Sequence, residues 1–226
     1  MTEAKEPLVY SVRHPEGLTP DEGYPLLLLL HGYGSNEQDL MGLSPYLDAR
    51  FLLVSVRAPH PLDTGGYAWF PLDFTPQGLV PDFAQAVFAR RQLVELLDEL
   101  KSEYPVDPAQ VFLLGFSQGA SMAVGLGLGL AEAVSAVVSL SGYCPPEVVP
   151  EVLASGLEGL PVFMTHGLYD PVIPIGQGQE SRDVVARLPV ALEYREYPMG
   201  HEINTECLQD LVAWLAGLLN EKNKKA

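Results

Sequence analysis

Seven short apolar runs bounded by turn residues recur along the chain: LVYSV (8–12), PLLLLLH (25–31), FLLVSV (51–56), VFLLG (111–115), AVVSL (136–140), PVFMTH (161–166) and ALEYREY (191–197). The middle five are continuous rather than alternating, as expected of strands covered on both faces in a parallel sheet. Between Asp82 and Tyr104 the period changes. Phe83, Val87, Leu93, Leu97 and Leu100 form one helical stripe, widened by Val94 and Leu96, and Asp82 is placed to cap it with Gln85 reaching back. A second helix is predicted from about Gln118 to Leu130, and a third from about Asn204 to Leu219. Strands alternating with helices predict an α/β architecture with right-handed crossovers and a mostly parallel sheet flanked by helices on both faces.

Two stretches resist that pattern. Residues 57–81, RAPHPLDTGGYAWFPLDFTPQGLVP, are rich in Pro and Gly and have little periodicity. A loop of that length inside a compact domain is usually functional or mobile. The run from Ala123 to Cys144 is almost long enough to span a bilayer, and Gly125 and Gly129 have helix-dimer spacing. Glu132 and the switch to a β-branched run argue instead for a helix feeding a buried strand.

Composition narrows the class. With 226 residues, 47% of them hydrophobic, the chain can build one substantial core, so a single domain over 1–226 is expected, with its core at about 8–219 and a polar tail at 220–226. The formal charge of −16 opposes binding to nucleic acid and stable association with anionic membranes. Cys144 and Cys207 have no metal-ligand spacing, and the first residues, MTEAKEPLVY, lack the build of a secretory signal. A cytoplasmic protein with two free thiols is the expectation, a bridge between them being the alternative.

The sequence GFSQG (115–119) follows an apolar strand and opens the second helix. Gly-x-Ser-x-Gly alone has little specificity. At a strand-to-helix turn it has the form of a nucleophile elbow, with Ser117 held over a helix N-terminus. The competing role for Ser117 is a helix N-cap. A serine hydroxyl needs a base and an orienting carboxylate to act as a nucleophile. Of the five histidines, His14 lies near an edge strand and His60 sits between prolines. His31 and His166 close apolar strands and are each followed by Gly, which points to a backbone role. His201, in YPMGHEI, follows the last strand and fits the order serine, acid, histidine; its alternative role is an ordinary first-turn helix residue. Asp170, in GLYDPVIP, lies on a turn that Pro171 keeps from becoming helix, and its alternative is an ordinary turn Asp. Glu202 is the rival acid, although as the neighbour of His201 it points elsewhere in most conformations.

The four segments LLHGYGSNEQDL, GFSQGASMA, HGLYDPVIP and MGHE together resemble the phospholipase/carboxylesterase family of α/β-hydrolases, over about residues 25–215. The resemblance implies a single-domain α/β-hydrolase fold with Ser117 as nucleophile, His201 as base and Asp170 as its orienter. An oxyanion hole needs two amides, one of them from the residue after the nucleophile, Gln118. The resemblance makes the amide of Tyr33 the second. The family more often has Leu than Tyr after its His-Gly pair, and its aromatic-then-Asp element is stretched here to AWFPLDF.

These features imply a serine carboxylesterase that hydrolyses soluble short- to medium-chain esters or thioesters through an acyl-enzyme, with no cofactor and no metal. Acyl-protein thioesterase and lysophospholipase are the related alternatives, amide hydrolysis a further one, and a non-catalytic binding protein on a hydrolase scaffold the alternative of a different class. Trp69, Phe70, Val172 and Ile173 are the candidate walls of an apolar acyl pocket. Trp69 has a second candidate role, anchoring its loop to the core. The expected partner is a small ester or thioester, with homodimer formation left open.

Overall fold

Leu26, Leu28 and Leu30 face one side of a central sheet and Leu27 and Leu29 the other, and all five are fully buried. The unbroken leucine run thus reflects two covered faces. The structure, a computed structural model, describes residues 7–75, 78–150 and 155–223. Its main sheet has seven strands: β1 (Tyr10–Arg13), β2 (Tyr24–Leu30), β3 (Leu52–Val56), β4 (Val106–Phe116), β5 (Ala136–Leu140), β6 (Pro161–Gly167) and β7 (Ala191–Tyr197). Their spatial order is β1-β3-β2-β4-β5-β6-β7. Only the edge strand β1 runs antiparallel to its neighbour, which closes the sheet without a crossover helix.

Among the described residues four α-helices cover the sheet: α1 (Phe83–Glu103), α2 (Gln118–Gly129), α3 (Ile175–Val185) and α4 (Thr205–Asn223). One core includes Leu93, Leu97 and Leu100 of α1 and Met122, Val124 and Leu126 of α2. The opposite core takes Cys207, Leu211, Leu215 and Leu219 from α4. Residues 224–226 of the expected polar tail lie outside the described residues, and α4 runs through its beginning.

Several expectations need correction. The stripe expected on α1 is rotated at its first turns: Ala86 and Ala89 are buried, whereas Val87 and Phe88 are exposed. Close packing of α1 on α2 favours small residues there. Phe83's side chain lies outside the described set. The amide of Gln85 donates to Asp82 Oδ1 at 3.2 Å, so the cap itself forms. Residues 57–81 are not an irregular loop but hold two ribbons, His60–Pro61 with Tyr67–Ala68 and Leu72–Thr75 with Gly78–Pro81. Helix α3 has no counterpart among the predicted elements.

The helix-dimer spacing of Gly125 and Gly129 has an intramolecular explanation for Gly125. A Cβ there would lie 2.7 Å from Nη1 of Arg90, so the glycine admits that side chain. Among the described residues no helix is long and apolar enough to cross a membrane. Cys144 and Cys207 are free and buried.

Candidate active site

Parallel registers bring the carboxyl ends of β2, β4, β5, β6 and β7 to one edge. Leu30 pairs with Gly115, Phe116 with Leu140, and Gly167 with Tyr197. Residues that follow those ends therefore meet there, as is general for ligand sites of open α/β sheets.

Ser117 joins β4 to α2 with φ 54° and ψ −117°, one of two non-glycine residues with positive φ among those described. This strain is held by close backbone packing. A Cβ on Gly115 would collide with the carbonyl of Gly119, and a Cβ on Gly119 would collide with that of Leu30. The Ser117 amide donates to Leu140 O at 2.9 Å. Its hydroxyl makes no capping bond to α2. Instead Oγ lies 2.9 Å from Nε2 of His201.

His201 sits on the turn between β7 and α4, 4.9 Å from the Phe116 ring. Its Nδ1 lies 2.7 Å from Oδ2 of Asp170, so Nδ1–H donates to the carboxylate and Nε2 is left to accept from the serine. The other carboxylate oxygen, Oδ1, accepts the amides of Val172 at 2.8 Å and Ile173 at 2.9 Å. Glu202 takes no part in this chain of contacts. The two loops are tied backbone to backbone: the Tyr169 amide donates to Met199 O at 3.1 Å, and a Cβ on Gly167 would lie 2.5 Å from that same carbonyl oxygen.

His166, on β6, is buried beneath the acid loop. Its Nε2 donates to Ile173 O at 2.8 Å and lies 3.6 Å from Asp170 Oδ2. Gly178 of α3 leaves room for the ring, since a Cβ there would sit 2.5 Å from the imidazole Cγ. The ring, and not only the backbone, matters at this position. The same holds for His31, whose Nδ1 is 2.7 Å from Gly32 O while Nε2 accepts the Ala58 amide at 3.0 Å.

The candidate oxyanion amides flank the serine. A Cβ on Gly32 would lie 3.3 Å from Ser117 Cβ, which sets the Gly32–Tyr33 peptide beside Ser117. Neither the Tyr33 nor the Gln118 amide has an acceptor among the described residues.

The four candidate pocket residues fall into two groups. Trp69 is fully buried, donates Nε1–H to His31 O at 2.8 Å and lies 5.6 Å from the His31 ring, so it anchors its segment to the core. Phe70 is also buried and packs in the same core. Val172 is 58% exposed and Ile173 partly buried, both on the acid loop. Sequence reasoning missed the side chain of Gln118. Its Oε1 accepts the Trp69 amide at 2.8 Å and its Nε2 donates to Phe70 O at 2.7 Å, clamping the loop to the elbow. A polar side chain at the head of an apolar helix, facing a long segment that needs backbone partners, is the signal that could have found it.

Residues 19–219 match the phospholipase/carboxylesterase family. The chain belongs to this family. As a phospholipase/carboxylesterase member it is a hydrolase of the serine α/β class. It is 27% identical to acyl-protein thioesterase 1 of Saccharomyces cerevisiae over 214 residues, covering 84% of this chain and 90% of that one. It is also 27% identical to a probable carboxylesterase of Oryza sativa subsp. japonica over 220 residues, covering 91% and 93%. Among solved structures, esterase PE8 superposes with a TM-score of 0.80 at 29% identity, covering 94% of this chain and all of that one. The Bacillus cereus carboxylesterase, at 24% identity and TM-score 0.79 over 93% and 94% of the two chains, shares the fold.

Proposed function

We propose that this family member is a serine carboxylesterase that hydrolyses small, soluble, short- to medium-chain esters through an acyl-enzyme. The observation that carries the reading is the unbroken hydrogen-bond chain from Ser117 Oγ through His201 to Asp170, at 2.9 and 2.7 Å. Ser117 Oγ attacks the carbonyl carbon while its proton passes to His201 Nε2. Asp170, its second oxygen fixed by two amides, keeps Nδ1 protonated and stabilises the imidazolium that forms. The carbonyl oxygen becomes an oxyanion that accepts from the Tyr33 and Gln118 amides. Collapse of this intermediate breaks the bond to the leaving group, which takes the proton from His201. Water then gives a proton to the freed Nε2 as it attacks the acyl-enzyme carbonyl, and collapse breaks the bond to Ser117 Oγ, which takes that proton from His201 as the acid leaves.

The acyl group contacts Val172 and Ile173 on the acid loop, while Trp69 and Phe70 support the opposite wall from behind. Likeness to a yeast acyl-protein thioesterase favours thioesters as a second substrate class, which the same mechanism accommodates. A panel of p-nitrophenyl esters and matched thioesters of increasing acyl length tests the reading. Turnover that falls beyond medium chains is expected; no turnover of any member would refute it.

A further inference from the structure

The Gly32–Tyr33 peptide carries two roles on one rigid plane. Its N–H is the donor assigned above to the oxyanion, and its C=O is the Gly32 carbonyl. Among the described residues there is no cis peptide, so in this trans unit the two groups point in opposite directions. Whatever grips the carbonyl therefore aims the amide.

His31 grips it, at 2.7 Å from Nδ1, while the Ser35 amide adds a longer bond of 3.3 Å. The other ring nitrogen faces the Ala58 amide at 3.0 Å. An amide N–H can only donate, so Nε2 carries no proton and Nδ1 does. Partners on both sides select one tautomer. The ring has no solvent access and is backed by the Trp69 indole, whose Nε1–H also holds the preceding carbonyl, His31 O, at 2.8 Å. Burial pushes the imidazole pKa down, with the smallest contribution coming from Arg57 in the same direction. The Gly32 carbonyl, Asp39 and Glu37 pull it up, each less than burial lowers it. Protonating Nε2 would set one donor against another at Ala58.

We infer that His31 is a positioning residue for ester hydrolysis: its Nδ1-protonated ring, wedged between the Ala58 amide and the Gly32 carbonyl, turns the Tyr33 N–H toward the reacting carbonyl. The inference rests on the reading of Tyr33 as an oxyanion donor. His31 touches no reacting atom and acts only through the peptide it holds.

The test compares wild type, His31→Leu and His31→Asn, all checked for folding, on an ester and on a trifluoromethyl ketone whose bound oxyanion occupies the hole. Leu removes the grip, whereas Asn keeps a short N–H donor near the Nδ1 position. Leu is expected to lower kcat by about 100-fold with KM changed by less than about two-fold, and to weaken the ketone by a similar factor. Asn is expected to recover at least about ten-fold of that loss. A loss from mere destabilisation would not be rescued by Asn or mirrored in ketone affinity. A folded Leu variant with wild-type kcat and ketone affinity would overturn the inference. Long-range 1H–15N spectra of the wild-type ring decide independently of any variant: an Nδ1–H tautomer is expected, and an Nε2–H tautomer overturns it. An error in the serine-esterase reading itself shows differently, as a wild-type protein that binds the fluorinated ketone no more tightly than its methyl parent.

Discussion

Nε2 of His201 lies 2.9 Å from Oγ of Ser117 although 84 positions separate the two residues in the chain. Neither loop could hold that contact alone. It depends on the strained serine turn, on the parallel registers that align the strand ends, and on backbone packing between the loops that carry Asp170 and His201.

Asp170→Asn tests the orienting role. An amide in place of the carboxylate can present N–H to Nδ1 and favour the wrong tautomer, so kcat should fall by about 10²- to 10⁴-fold. Val172 and Ile173 can still donate to the remaining oxygen, so the fold should survive. Steady-state kinetics with a circular-dichroism control check both outcomes, and a kcat near wild type would remove Asp170 from the mechanism.

Gly167→Ala tests the packing between the two loops. The added methyl would collide with the Gly200 carbonyl and press on that of Met199, which forces the loops carrying Asp170 and His201 apart. Overpacking of this kind costs about 1 to 3 kcal/mol. A lowered Tm and a fall in kcat larger than any rise in KM are expected from melting curves and ester kinetics.

Trp69 separates anchoring from pocket lining. Deleting this fully buried indole in Trp69→Ala should cost about 3 to 5 kcal/mol. Trp69→Phe keeps bulk but strands His31 O, at a cost of about 1 to 3 kcal/mol. Chain-length preference should be unchanged in the Phe variant. A shifted acyl-length profile at unchanged stability would make Trp69 a pocket wall instead.

Glu37 supplies an acid-sensitive contribution to stability. Arg57 binds both its carboxylate oxygens at 2.6 Å and lowers its pKa to about 2, from an ordinary value of 4.5. The folded state thus binds this proton less readily than the unfolded state. The stabilisation is fully present above about pH 4.5 and is lost as pH falls toward about 2. Allowing for the partial exposure of Arg57, Glu37→Gln should cost about 1 to 2 kcal/mol at pH 7. Urea melts should show the difference shrinking from pH 6 to pH 3; a difference independent of pH would contradict the assignment.

Much of the fold was legible because its strands are covered on both faces and therefore spelled as unbroken apolar runs, Leu26–Leu30 above all. The glycines around Ser117 were legible for a related reason, since a sharp turn needs residues without Cβ atoms. Helix α3 was hidden because Gly176 and Gly178 weaken its helical signal and few of its residues are apolar. Gly178 is there to admit the His166 ring, a tertiary reason no local pattern carries. The ribbons within 57–81 and the Gln118 clamp are likewise products of long-range partners. At positions 31 and 166 the sequence placed histidines at the ends of strands, but only the structure reveals that their rings hold neighbouring turns.

Labelling with a fluorophosphonate, followed by peptide mapping, tests the central claim most directly, because the probe reacts with a serine only when base and oxyanion donors activate it. Stoichiometric modification at Ser117, abolished in Ser117→Ala and strongly slowed in His201→Ala, is the expected result. A folded wild-type protein that stays unlabelled, or that is labelled at another residue, would contradict the account.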